Sequence, residues 1–109
     1  MSDVPSVEVE QLRDMLRSNE PPFVLDVREK RENEICNLPG HHLVPLADLP
    51  GHIGDLPRDK TIVVHCHHGG RSARATAYLM QQGFKNVFNL KGGIHAWSER
   101  IDSTVKTYT

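Results

Sequence analysis

One cysteine stands where a nucleophile could be made. The run Thr61-Ile62-Val63-Val64-His65 is apolar and β-branched, and it ends at Cys66. His67-His68-Gly69-Gly70 follow, and Arg71 opens a segment with helical spacing. A cysteine at a strand end that faces a helix N-terminus sits among backbone N–H donors and the positive end of the helix dipole. Both favour the thiolate, which is the reactive form. Four residues separate Cys66 from Arg71. A loop of that length, curled around the sulfur, turns its N–H groups inward and makes a concave anion site. Gly69 and Gly70 ease the curl, because glycine takes positive φ freely. His65, His67, His68, Arg71 and Arg74 crowd the same stretch. The local potential is expected to be positive, and the substrate to be a small anion or to carry an anionic leaving group.

The elements around this loop alternate. Val9, Leu12, Met15 and Leu16 recur at helical spacing, with Ser6 as the expected cap and Val7 available to a short strand. Phe23 to Val27 reads as a buried strand and Arg28 to Ile35 as a charged surface helix. Leu38-Pro39-Gly40 marks a turn. His42 to Pro45 suggests another strand, and Leu46 to Asp55 a weak helix interrupted by Pro50 and Gly51. Thr61–His65 and Arg71–Gln82 are the clearest strand and helix, the latter capped by Gly83. Asn86–Leu90 is a further strand, and Lys91-Gly92-Gly93 turns the chain into a last helix from Ile94 to about Ile101. The segment 102–109 is expected to be a polar, loosely held tail. Such alternation implies βαβ units and a mostly parallel sheet with helices on both faces. Ligands of such sheets bind outside the carboxyl ends of the strands, where Cys66 stands.

The bulk properties narrow the partners. With 109 residues the chain has room for one domain, 1–109, with a core of about 5–101. Its 13 basic and 14 acidic residues balance, so nothing favours nucleic acid or an anionic membrane as partner. No apolar stretch approaches membrane-spanning length, and residues 1–10 carry Asp3, Glu8 and Glu10 rather than a signal sequence. Two cysteines do not make a disulfide scaffold, and a reducing cytoplasmic location is expected.

Four segments carry a resemblance. They are Leu25-Asp26-Val27-Arg28-Glu29, Leu38-Pro39-Gly40 with Val44-Pro45-Leu46, the loop Cys66 to Ser72, and Asn89-Leu90-Lys91-Gly92-Gly93-Ile94-His95-Ala96-Trp97. In this order and spacing the chain resembles the single-domain rhodanese, or thiosulfate sulfurtransferase, family. The resemblance implies a five-stranded sheet flanked by helices. It implies that Cys66 takes the outer sulfur of thiosulfate or a similar anionic donor as a persulfide and passes it to cyanide, a thiol or a protein. The Cys66–Ser72 loop (His67, His68, Gly69, Gly70, Arg71, Ser72) is expected to bind the anion, with Arg71 fixing the loop and adding positive charge; the resemblance assigns no role to His67 and His68, which either supply donors and partial positive charge to the anion from their place in the loop or face solvent. No cofactor is implied. Phosphatases that share this fold have a loop one residue longer. The family often has an aromatic where Asn33 stands and a histidine where Asn37 stands. The ending Trp97 to Asp102, with Tyr108 beyond, is similar to rhodanese domains fused to enzymes that activate ubiquitin-like proteins.

Other side chains receive plainer readings. Asp26 and Arg28 are expected to support the Cys66 loop. Cys36 reads as a packing cysteine, Trp97 as core, and Gly92 and Gly93 as turn glycines. Adjacent histidines on an extended segment point apart and seldom converge on one ion, so no metal site is expected. His41, His42, His52 and His95 are expected at the surface. Two alternatives to the transferase stand: a non-enzymatic binding or sulfur-relay module, and, disfavoured by loop length, a phosphatase or arsenate reductase.

Overall fold

Alternating side chains sort each strand into two faces, and this builds the molecule. The computed structural model describes residues 4–108. Met1, Ser2, Asp3 and Thr109, which belong to the expected domain and include part of the leader reading, lie outside the described residues. Five strands form one sheet: β1 (Ser6–Val7), β2 (Phe23–Asp26), β3 (His41–Leu43), β4 (Ile62–His65) and β5 (Val87–Leu90). Their order is β1-β5-β4-β2-β3 and every pair is parallel. The expected α/β, mostly parallel architecture is thus wholly parallel among the described residues.

The register explains the two cores. Val24 pairs with Val63 and Leu25 with Val64 on neighbouring strands. Val24, Val63 and Leu90 face one layer, together with Val9 and Leu12 of helix α1 (Val9–Leu16) and Ile94 and Trp97 of helix α4 (Gly93–Arg100). Leu25, Ile62, Val64 and Val87 face the other, together with Ala75 and Leu79 of helix α3 (Gly70–Gln81) and Leu49. Strands buried on both faces read as continuous apolar runs, as Ile62-Val63-Val64 does. Helix α2 (Lys30–Ile35) is short and follows β2. Leu46–Asp55 winds as a 3-10 helix, because Pro50 removes a backbone donor and a regular α-helix cannot pass it.

Two local expectations change. Ser6 lies in β1, and α1 is capped instead by Glu8, whose N–H donates to Gln11 Oε1 at 2.8 Å. The segment after Arg100 is held. Val105 and Tyr108 pack on the first core, and the Ser98 hydroxyl donates to the Val105 carbonyl. Polar composition hid two apolar anchors in that segment. Among the described residues no helix is long and apolar enough to cross a membrane.

Candidate active site

Cys66 follows β4 directly and lies at the C-terminal edge of the sheet, 1% exposed. The chain then turns through His67 and His68 to Gly69, whose φ of 114° is open to glycine and strained for other residues. That turn aims two amides at the sulfur. Gly69 N–H donates to Cys66 Sγ at 3.1 Å, and Ser72 N–H, in the first turn of α3, at 3.4 Å. Ser72 Oγ also lies 3.4 Å from the sulfur. The same hydroxyl reaches the Gly69 carbonyl at 3.2 Å and Asn89 Oδ1 on β5, its shortest contact. The sulfur is therefore cradled by the loop and by the helix N-terminus behind it.

The loop is pinned from below by α4. Ile94 N–H donates to the Cys66 carbonyl at 2.9 Å and His95 N–H to the His67 carbonyl at 3.1 Å. A Cβ on Gly93 would stand 2.4 Å from the His67 carbonyl oxygen. Gly93 is thus more than a turn residue: the two backbones meet where it lacks a side chain. His95 is carried along and meets the rings of His67 and His68, with centroids 5.8 Å and 4.8 Å away. It is not the isolated surface residue its place in the sequence implied.

Arg71 is tied to a neighbouring element. Its guanidinium forms a two-pronged ion pair with Glu32 of α2, at 2.7 and 2.8 Å. Such paired, parallel bonds fix geometry as well as charge. The Arg71 guanidinium holds the Glu32 carboxyl down at about 2 against its burial. Arg71 therefore ties the loop to α2 and has its charge matched, rather than projecting free charge at an anion. Arg74, one turn further on, is exposed and lines the same depression as Cys66, His67, His68, Gly70 and Arg71. No ion pair to Arg74 occurs among the described residues. Helical spacing from Arg71 could have singled it out.

Asp26 and Arg28 extend this network. Both are fully buried and paired at 2.7 Å. Arg28 also donates to the carbonyls of Glu32, within α2, and of Cys36, its C-cap, so it holds α2 in place. Burial raises the Asp26 carboxyl, but bonds from Arg28 and from the Asn33 amide outweigh it and hold it below its usual range. Asn33 is thus satisfied locally. Arg28 donates to the Tyr108 hydroxyl at 3.1 Å, and that hydroxyl donates to Glu32 at 2.8 Å. The Tyr108 ring stacks on His67 at 3.9 Å. A continuous path runs from Asp26 through Arg28, Tyr108 and Glu32 to Arg71. Sequence reasoning found its first two members and its last and missed the two between. Cys36 is buried beside Arg28, with 3.7 Å from guanidinium to sulfur, and is a free thiol.

The depression over Cys66 is open, about 380 Å³. A second hollow of about 710 Å³ adjoins it, lined by His68, Gly69, Gly70, Arg74 and Lys91 among others. A cleft of about 510 Å³ at Asn19–Pro21 and Asp59–Thr61 lies at the opposite, amino ends of the strands, and neither cysteine nor histidine lines it. His65, beside Asp26 in the register, is fully buried, and burial pushes it down to about 4. It is a neutral core histidine and contributes no charge to the site.

Comparison with known proteins agrees with this geometry. A sulfurtransferase from Allochromatium vinosum is 36% identical over 95 residues, covering 87% of this chain and 89% of the relative. A Bacillus subtilis protein named as a candidate sulfur carrier is 32% identical over 101 residues, covering 93% of this chain and 55% of its own. The crystal structure of a rhodanese-related protein from Thermoplasma volcanium superposes with a TM-score of 0.82 at 33% identity, covering 89% of this chain and 93% of that one. Against several other curated relatives the chain spans only part of their length, down to 25%. Residues 8–100 match the Rhodanese-like domain family. With that match, a relative aligned nearly end to end, and the parallel sheet that sets Cys66 in a glycine-bearing loop, the chain belongs to the rhodanese-like domain family.

Proposed function

We propose that this chain is a sulfurtransferase whose Cys66 carries sulfane sulfur as a persulfide. The observation that carries the reading is the pair of amides, Gly69 and Ser72, converging on Sγ at 3.1 and 3.4 Å. Relatives named as a sulfurtransferase and as a candidate sulfur carrier support the same class of chemistry. The Cys66 thiolate attacks the outer sulfur of thiosulfate or a similar donor. A new S–S bond forms, the donor's S–S bond breaks, and sulfite leaves with the electron pair. The loop amides stabilise the terminal persulfide anion as they do the thiolate, since both present negative sulfur to fixed donors. A nucleophile (cyanide, a thiol or a protein thiol) then attacks the outer sulfur, and Cys66 departs as thiolate. Arg74, His67 and His68 line the entrance and meet the anion. Arg71, Glu32, Asp26 and Arg28 hold the loop in shape.

The test is the intact mass of the reduced protein after incubation with thiosulfate, beside Cys66→Ala. A gain of about 32 Da, reversed by cyanide and absent from the variant, is the outcome expected of covalent catalysis. A gain that persists in Cys66→Ala refutes the assignment. A relay reading, in which the donor is a persulfide on another protein, is favoured by the open depression and the sulfur-carrier relative. On that reading thiosulfate gives no gain and a persulfide-loaded desulfurase does.

A further inference from the structure

Three imidazoles converge beside Cys66 from two elements. His67 and His68 come from the loop and His95 from the first turns of α4. One nitrogen of each lies within 4.8 Å of the other two. The convergence is enforced by backbone, because the His95 N–H is bonded to the His67 carbonyl and Gly93 lets the two segments touch. Neighbouring histidines point apart only where the chain is extended. Here the chain turns, bringing His67 and His68 to 4.0 Å between centroids, and the third ring comes from elsewhere.

The rings are also set up as ligands. His95 Nε2 lies 3.2 Å from the Glu99 carboxylate. A carboxylate on one ring nitrogen fixes the tautomer, leaving Nδ1 with its lone pair. His95 Nδ1 is buried and has no hydrogen-bond partner among the described residues, and neither has His67 Nε2. Leaving such buried groups unpaired is unfavourable, and a bound cation would satisfy both. The other nearby charges are accounted for. Arg71 is held by Glu32, while Arg74 lies exposed at the rim and can swing to solvent.

We propose that His67, His68 and His95 form a binding site for a divalent cation of the zinc class, with Glu99 orienting His95. Neutral imidazole suits zinc, which takes nitrogen ligands at about 2.0–2.1 Å, so the three nitrogens would draw together to about 3.3 Å. The exposed His68 ring makes that adjustment by side-chain rotation. The fourth position faces the open depression and takes water. The cation would stand at the rim of the hollow that holds Cys66. This site does not rest on the sulfur-transfer reading.

The test uses the full, reduced, chelator-stripped chain, titrated with Zn²⁺ by calorimetry and with Co²⁺ by visible absorption. One equivalent of Zn²⁺ should bind, and Co²⁺ should give tetrahedral nitrogen-type bands without thiolate charge transfer. Cys66→Ser should retain binding. Glu99→Gln, an exposed position that tolerates change, should weaken it about 10-fold, and His95→Ala by about 10- to 100-fold or more. Circular dichroism of each variant reports that it is folded. Lack of saturable binding overturns the proposal. So does binding that is unchanged in both His95→Ala and Glu99→Gln, or that is lost in Cys66→Ser and kept in His95→Ala, which would mark a thiol site.

Discussion

Replacing Glu32 with Gln isolates the device that ties the loop to α2. The carboxylate accepts two bonds from Arg71 and one from Tyr108 and is almost wholly buried. Drawing a carboxyl from its ordinary 4.5 to about 2 corresponds to roughly 3 kcal/mol favouring the ionised form in the folded protein. The Arg71 side chain is 31% exposed, and water screens that side of the pair. A loss of about 1–2 kcal/mol is therefore expected at pH 7, or about 4–10 °C in melting temperature for a domain of this size. The sign follows from the lowered value. The stabilisation is fully present above pH 4.5 and is lost as pH falls through about 2. Urea unfolding of both proteins at pH 7, 5 and 3 reads it directly. The gap between wild type and Glu32→Gln should be constant from pH 7 to 5 and shrink to less than about half by pH 3. A gap of zero at pH 7, or one that does not narrow in acid, would refute the claim that the ionised pair holds the loop.

Three further outcomes are expected. Gly93→Ala places a Cβ 2.4 Å from the His67 carbonyl at a φ of 64°. It should cost about 2–4 kcal/mol and abolish the thiosulfate mass gain, whereas Gly51→Ala, with nothing within 4 Å, should shift stability by no more than about 0.5 kcal/mol; equal melting temperatures for the two would contradict the close-approach argument. Tyr108→Phe keeps the stack on His67 but deletes the hydroxyl between Arg28 and Glu32. Denaturant unfolding should show a loss of about 1 kcal/mol, and no loss would mean the tail is not part of the network. His65 is buried and neutral, so its contribution is present above about pH 6.5 and is lost as pH falls through about 4, up to roughly 3 kcal/mol. Proton NMR titration of its ring should show no protonation above pH 6 in the folded state, and a midpoint near the ordinary value would overturn the assignment.

What was legible in the sequence was local. The strand Ile62–His65, the glycines after Cys66 and the helix beginning at Gly70 follow from β-branching, φ freedom and helical spacing within one short window. The parallel sheet follows from their alternation with Phe23–Asp26 and Val87–Leu90. The resemblance to rhodaneses added the assignment of Cys66 as the sulfur-bearing residue. What was not legible depends on contacts between distant positions. Arg71 meets Glu32 across 39 residues and Arg28 meets Tyr108 across 80. Glu32 lies in Lys30–Ile35, where four of six residues are charged and the pattern resembles a solvated face. Nothing local distinguishes the one carboxylate that turns inward. Tyr108 was hidden in the same way by its polar neighbours. His95 was misplaced because its position is set by the backbone bond to His67, not by its own side chain.

The distribution of charge says how the loop is expected to work. Were Arg71 the anion's partner, its charge would be free; instead a buried carboxylate takes both of its prongs. Among the described residues the only groups aimed at the sulfur itself are uncharged, the amides of Gly69 and Ser72 with the Ser72 oxygen beside them. Fixed dipoles of this kind need no reorganisation as charge moves between sulfur and leaving group, because the fold has already oriented them. A free guanidinium in contact with Sγ would instead bind donor, product and intermediate alike, and uniform binding does not speed a chemical step. On the proposed sulfur-transfer reading, charge therefore serves rigidity through Asp26, Arg28, Glu32 and Arg71, and capture of the anion at the rim falls to Arg74. It follows that Arg74→Ala should raise KM for an anionic donor with little change in kcat. Glu32→Gln, by loosening the amides, should lower kcat. Steady-state kinetics with thiosulfate, or with a persulfide donor if thiosulfate fails, distinguishes the two. A reversed pattern would mean that Arg74 acts on the reacting sulfur and that the loop's shape is held without Glu32.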